Sequence, residues 1–269
     1  MSDATIDILI ETALIGQGIS DLTDAELSRT WKAYFPDPPD NVGFVWLWQG
    51  QTMLGDLDSF LVYRKMELPR IDSRKLREGN NTSISGFCTA SAVLAITREI
   101  QASLVVTAGL GGFFEGRVSS DLPEIARRQG ILIASGFKDM IAAKDSLAYL
   151  HAGNILVSGT GKPVYDGFLF AREETALDRK YAGESLEKLA EDNCCLIFND
   201  MEIGLRLKNA NWLKESIEAG KSAKNSGNEF HPAVNKALAY YSKGQSSRLQ
   251  FEALMKNIAL ALEIQQMGK

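Results

Sequence analysis

The feature that most limits what this chain can become is a repeated step from a short β-branched apolar run into small, flexible residues. Leu104 to Thr107 breaks into Ala108-Gly109-Leu110-Gly111-Gly112, and Gly130 to Ser135 breaks into Gly136-Phe137-Lys138. Runs of this kind read as buried strands, and glycine at their ends lets main-chain N–H groups approach a ligand. The pattern predicts helices between them, over Thr89 to Ile100, Asp121 to Gln129 and Asp139 to Leu150. Strand and helix that alternate in this way predict an α/β protein with helices on both sides of a largely parallel sheet.

The rest of the chain extends the pattern. Ile6 to Ile10 reads as a first buried strand. Thr23 is a plausible cap for a helix opening at Asp24. Gly43 to Trp48 reads as a strand that turns at Gln49-Gly50-Gln51 into Thr52-Met53-Leu54, and Asp56 to Tyr63 as a short helix. Further strands are expected at Asn154 to Ser158, Phe168 to Phe170 and Cys195 to Asn199, then helices at about 211–224, 232–242 and 248–265. With 269 residues, 45% of them hydrophobic, the chain can bury a sizeable core, and it reads as one domain over 1–269.

Composition narrows the function. A net charge of −5 with no basic cluster argues against non-specific nucleic-acid binding. Arg64, Lys65, Arg70, Arg74, Lys75 and Arg77 come closest to one, but Glu67, Asp72 and Glu78 interrupt them, so most read as a solvated face. Three cysteines and two histidines, with no Cys-x-x-Cys, suit neither a disulfide framework nor a zinc site. Reduced thiols, no signal-like N-terminus and no long apolar stretch predict a cytoplasmic protein that does not engage a membrane.

Ligands of open α/β sheets gather at the carboxyl ends of strands. That rule groups Glu11, Thr107, Gly109 to Gly112, Lys138 and Gly159-Thr160-Gly161, if their strands are parallel neighbours. Lys138 reads as the first turn of a helix, where the local field and desolvation both lower an amine's pKa and favour imine chemistry. A lysine whose head simply reaches solvent satisfies the same sequence. Glu11 is a candidate general acid or base, or a carboxylate that caps nearby N–H groups. Ser119-Ser120-Asp121-Leu122 reads as a helix start whose serines cap it or hold a ligand. Cys88 reads as a small core residue, and His231, before Pro232, as a cap or a water-facing side chain. Asn257 lies on the apolar last helix, either bonded inside or reaching a pocket.

These blocks, in order, resemble the pseudouridine-5'-phosphate glycosidases, or indigoidine synthase A-like proteins. Leu9-Ile10-Glu11-Thr12-Ala13-Leu14-Ile15-Gly16-Gln17-Gly18-Ile19 is similar to the family's Leu-Glu-Ser-Thr-Ile-Ile-x-His-Gly-Met. Gly86-Phe87-Cys88-Thr89-Ala90 stands where the family has Gly-Ala-Thr-Thr-Val, and Val106-Thr107-Ala108-Gly109-Leu110-Gly111-Gly112 resembles Ala-Thr-Gly-Gly-Ile-Gly-Gly. Ser119-Ser120-Asp121-Leu122 resembles Ser-Ala-Asp-Leu, Ser135-Gly136-Phe137-Lys138 resembles Ala-Gly-x-Lys, and Met255-Lys256-Asn257 looks like the late Asn-bearing helix.

The resemblance implies a three-layer α/β/α fold with a mostly parallel mixed sheet, a homotrimer, and reversible cleavage of the C-glycosidic bond of pseudouridine 5'-phosphate. Lys138 would form an imine with the opened ribose, and Glu11 would move the proton at the base carbon. Substrate contacts would fall on Arg70, the Ala90 backbone, Ser119, Ser120 and Asp121, with Thr107 and Asn257 in the pocket. The small-molecule partner would be a nucleotide or sugar phosphate. Manganese is implied too, but the aspartate that would hold it is deleted or replaced by Arg117, and a guanidinium cannot ligate a cation. Two other departures are Arg70 in place of a lysine and Phe114 in place of a histidine. The alternatives are an altered member that binds a sugar phosphate or nucleotide, and a C-glycosyl synthase whose larger aromatic acceptor stacks on Phe113 and Phe114.

Overall fold

The structure is a computed structural model and describes residues 6–78 and 83–267. The ends of the expected domain, 1–5 and 268–269, lie outside the described residues. The first half of the chain comprises β1 (Ile8–Glu11), a π-helical turn (Leu14–Gly18), α1 (Asp24–Tyr34), β2 (Val42–Trp48), β3 (Gln51–Gly55), α2 (Leu57–Arg64), β4 (Arg70–Ile71), α3 (Ser73–Arg77), β5 (Gly86–Cys88), α4 (Ala90–Ile100) and β6 (Leu104–Val106). Then come the small hairpin β7 (Phe113–Phe114) and β8 (Arg117–Val118), α5 (Asp121–Ala126), β9 (Ile131–Ala134), α6 (Ala143–Ala152) and β10 (Leu156–Gly159). The chain ends with β11 (Val164–Gly167), β12 (Ala171–Ala176), β13 (Arg179–Lys180), α7 (Leu186–Glu191), β14 (Cys194–Phe198), α8 (Ala210–Asn225), α9 (Phe230–Tyr241) and α10 (Gln245–Gln266).

Ten strands form one sheet in the order β13-β10-β14-β9-β6-β1-β2-β5-β4, with β3 on the flank of β2. Strands from β13 to β2 pair in parallel, as do β4 and β5; β2 pairs antiparallel with β3 and β5. Both faces of the central strands are apolar, so both must be covered. Ile8 and Ile10 of β1 point into one core with Val106, Ile133 and α10, while Leu9 points into the other with Val105, Leu132 and α4. The result is a three-layer α/β/α fold. Thr23 caps α1 in a full capping box with Glu26, as its position before the first apolar turn predicts.

Three expectations need correction. The helix expected from Asp139 begins at Ala143, because residues 136–142 run alongside the loop after β6 instead. Phe168 to Phe170 is the connection of the β11–β12 hairpin, not a strand; its apolar rings fill the core between elements. The helix expected to Gln129 stops at Ala126.

Candidate active site

The sheet order makes β1, β6 and β9 parallel neighbours, so the residues at their carboxyl ends meet. Glu11 is the last residue of β1 and is buried. The next residue, Thr12, locks the strand end: its hydroxyl donates to Val45 O and accepts from Cys88 N. Glu11 accepts from Leu14 N at 3.1 Å and from the Thr107 hydroxyl at 3.2 Å, one strand over. Burial raises its pKa, against the opposing pull of Lys138, Arg70 and the two hydrogen bonds.

Lys138 is held by its neighbours in sequence. The loops after β6 and β9 pair through Leu110 N to Gly136 O and Lys138 N to Leu110 O. In this extended stretch alternate side chains diverge. Phe137 packs among Tyr165 and Phe198 in the core, and the Tyr165 hydroxyl donates to its carbonyl. Asp139 is buried and accepts from Leu169 N and Phe170 N. Lys138, between them, faces the cavity with Glu11. Its pKa falls to about 8, chiefly through burial and then through the Arg70 guanidinium, against the pull of Asp121 and Glu11. The helix-start field expected from the sequence is not the cause, since α6 opens further on.

The cavity encloses about 330 Å³ and is lined by Glu11, Arg70, Thr107, Ser119, Ser120, Asp121, Lys138 and the first turn of α4. That volume suits a small organic ligand. Thr89, the N-cap of α4, makes no side-chain cap bond, and Thr89, Ala90 and Ser91 line the cavity. Free N–H groups at a helix start attract anions, and here Arg70 stands beside them. This end of the cavity can hold a phosphate.

The glycine-rich loop lines the cavity through Gly109 and Gly111, as expected of a backbone-lined pocket, and it also ties neighbouring segments together. Leu110 N, Gly111 N and Phe113 N donate to Gly136 O, Asp121 Oδ2 and Ser146 Oγ. A Cβ on Gly111 would press on Ser119 and Asp121, so glycine there permits close approach of the two segments. Ser120 sits at the start of α5 but does not cap it; its hydroxyl donates to Asp72 instead. Cys88 is core, and burial together with Glu11 holds its thiol up at about 12. The Gly159-Thr160-Gly161 segment lies outside the cavity, where Thr160 and Gly161 bond Asn199 and Asp200.

Asn257 is wholly buried beneath the cavity and does not line it. It donates to Thr107 O at 2.7 Å and accepts from Ser135 Oγ at 3.1 Å, so α10 holds the strand end that carries Glu11's threonine partner. Asn257→Ala is expected to lower stability by about 2–3 kcal/mol, because it strands two buried polar groups. Thermal denaturation checks this, and an unchanged melting temperature would contradict it.

Several cavity residues escaped the sequence reading. Asp72, Arg74 and Lys75 read there as a solvated face, yet they line the cavity rim. His231 neither caps α9, whose N-cap is Glu229, nor stands free in water; it lines the same cavity as Lys138. Phe114, where the resemblance has a histidine, packs its ring on Phe230. The Phe113-Phe114 pair pointed to this wall from the sequence; for Phe230 and His231 the only signal was a histidine beside a helix start, which is weak.

The donor set does not fit a manganese ion. Asp121 is engaged by Gly111 N, and Asp72 by Ser120 and Lys75 N. Arg70 and Lys138 add positive charge to the same cavity, and Arg117 is exposed on the β7–β8 hairpin. Among the described residues no three His, Cys, Asp or Glu side chains form a metal-holding group. Among them, too, no helix is long and apolar enough to cross a membrane.

A three-layer α/β/α sheet with a lysine and a glutamate converging at the ends of neighbouring parallel strands defines a class of soluble-ligand site suited to carbonyl chemistry. The sequence profile of the indigoidine synthase A like protein family matches residues 10–267, and the chain belongs to that family. It is similar to the pseudouridine-5'-phosphate glycosidase of Thermotoga petrophila, 24% identical over 267 residues, covering 95% of this chain and 93% of the relative. The Thermotoga maritima glycosidase is also 24% identical, over 271 residues, covering 95% and 92%. Among solved structures, an indigoidine synthase A-like protein from Thermotoga maritima superposes with a TM-score of 0.82 at 20% identity, covering 97% of this chain and 93% of that one. The prealnumycin C-glycosynthase in complex with ribulose 5-phosphate superposes with a TM-score of 0.76 at 18% identity, covering 97% and 91%. The curated relatives are named for pseudouridine-5'-phosphate glycosidase activity, and the two solved structures share this chain's fold.

Proposed function

We propose that the protein makes or breaks the carbon–carbon bond between a pentose 5-phosphate and a planar ring, through an imine on Lys138. The observation that carries this reading is the pairing, in one cavity, of a lysine lowered to about 8 with a buried glutamate. In the bond-forming direction Lys138 Nζ attacks C1 of the open-chain sugar aldehyde, and water leaves as the imine forms. A nucleophilic ring carbon then adds to C1, and the imine electrons return to nitrogen. Glu11 takes the proton from that ring carbon. The sugar's O4 closes on C1 as the C1–N bond breaks, and the O4 proton passes to the departing Lys138 nitrogen. Cleavage is the reverse, with Glu11 as the acid. The α4 N-terminus and Arg70 hold the phosphate, while Ser119 and Asp121 face the sugar.

Borohydride with ribose 5-phosphate tests the reading. The expected result is one sugar adduct in the intact mass, mapped to Lys138 by peptide digestion. No adduct, or an adduct elsewhere, would overturn it. The rate of adduct formation carries a second expectation. Attack needs the neutral amine, whose fraction falls as pH drops below the lysine's value of about 8. Trapping should therefore slow by about tenfold per pH unit on that side and level off above it. A profile that rises only near the ordinary lysine value would show an ammonium still in water.

A further inference from the structure

Ser119, Phe230 and His231 line the main cavity and also a second one of about 170 Å³, which lies between the β7–β8 hairpin and the start of α9. Two side-chain atoms on this shared wall, Ser119 Oγ and His231 Nδ1, are buried and meet no hydrogen-bond partner among the described residues. Folded proteins leave few such atoms unpaired, because a polar group taken from water without a partner destabilises the fold. Ser119 already has a role facing the sugar, but His231 has none.

The surroundings of His231 are specific. The Phe114 and Phe230 rings stand 4.9 Å apart at 32°, and Phe230 meets the imidazole edge-on at 5.2 Å. The side cavity therefore sets two aromatic rings beside the imidazole, with Glu115, Arg117 and Lys224 also in its lining. Burial holds His231 well below the ordinary histidine range, and the charges of Lys138, Arg70 and Lys224 push the same way. A neutral imidazole offers one donor and one acceptor. It is poorly suited to a phosphate, which the α4 end of the main cavity can hold, and well suited to the edge of a flat ring stacked on aromatic faces.

We propose that the side cavity receives the planar ring joined to the sugar carbon, and that His231 hydrogen-bonds the edge of that ring and so selects which rings react. The ligand class is a heterocycle or hydroxylated arene with a carbonyl, N–H or hydroxyl on its rim. The proposal rests on the imine reading of Lys138, since the sugar must end at that lysine for the ring to reach this wall.

The chain has only two histidines, His151 and His231, so histidine-selective isotope labelling leaves two imidazoles in an NMR spectrum. His151→Asn assigns them. The protein is first reduced with borohydride and ribose 5-phosphate, which fills the sugar end. Uracil and 1,5-dihydroxynaphthalene are then titrated in separately. At least one of the two is expected to move the His231 signals and leave His151 in place. His231→Ala should weaken that probe about tenfold by calorimetry, the loss of one buried hydrogen bond, while adduct yield at Lys138 stays within about twofold. His231→Gln, which keeps a donor and an acceptor, should recover most of the binding. The proposal is overturned if neither probe moves His231, if His231→Ala binds as well as wild type, or if adduct yield falls with binding, which would place His231 on the sugar. If wild type forms no adduct, the imine reading fails by itself. The unreduced protein is then titrated with pseudouridine 5'-phosphate, where a shift confined to His231 supports its ring-reading role and no shift ends it.

Discussion

Lys138→Ala is expected to abolish the borohydride adduct and to lower turnover by about 10³-fold or more, because the covalent route disappears and not merely a contact. The fold should survive the change. Lys138 holds its proton less readily than a lysine in water, and the first cause is burial. A desolvated ammonium destabilises the folded state, so its removal should leave the melting temperature unchanged or higher. Activity lost together with stability would instead mean that the lysine is a packing residue. Lys138→Arg makes a sharper control: it keeps the charge, forms no imine, and should be as inactive as the alanine variant.

Glu11→Gln separates the two halves of the chemistry. Glutamine's Oε1 can still accept from Leu14 N while its amide donates to the Thr107 hydroxyl oxygen, so the side chain keeps the orientation of the native carboxylate. It cannot move a proton. The sugar adduct should therefore still form at Lys138, while uracil release from pseudouridine 5'-phosphate, or release of whichever ring wild type turns over, slows by about 10²–10⁴-fold. The substitution should also move the pH profile of trapping. Glu11 raises the Lys138 value, so without its charge the midpoint should fall below the native value of about 8. A midpoint that stays in place would mean the two groups do not feel each other, and would remove the basis for treating them as one site.

The likeness to C-glycoside enzymes is broad, but the departures concentrate on one wall. Arg70 preserves positive charge at the phosphate end, where a flat guanidinium can serve. Phe114 and Arg117 alter the β7–β8 hairpin, and the chain supplies Phe230 and His231 from α9 opposite it. Under the proposed function, the sugar end keeps its positive charge through Arg70, while the departures at Phe114 and Arg117 fall toward the ring end. That division is what would be expected of a protein that keeps a common sugar chemistry and meets a different ring.

Much of this architecture was legible in the amino-acid order. Short β-branched runs with both alternating faces apolar can only be buried on two sides, which calls for helices above and below a sheet. Thr23, Asp24 and Glu26 announced α1, because a cap is a local arrangement of neighbouring residues. Glu11 stood out because it follows directly on an expected buried strand, and Lys138 because it comes three residues after another. Errors came where distant parts of the chain override local preference. Residues 139–142 have helical character in isolation, yet Asp139 bonds the 168–170 connection and the backbone stays with the neighbouring loop.

The chain alone therefore determined the α/β class and the main buried strands, and it nominated Glu11 and Lys138 as candidates, since periodicity and strand termini are properties of adjacent residues. Only the tertiary structure decided that β1, β6 and β9 lie side by side and bring Glu11, Thr107 and Lys138 together. It also decided that burial and Arg70, rather than a helix start, lower the lysine, and that His231 arrives from α9 to close the cavity. Such proximities depend on sheet order and on which surfaces exclude water, and no spacing along a single chain encodes either.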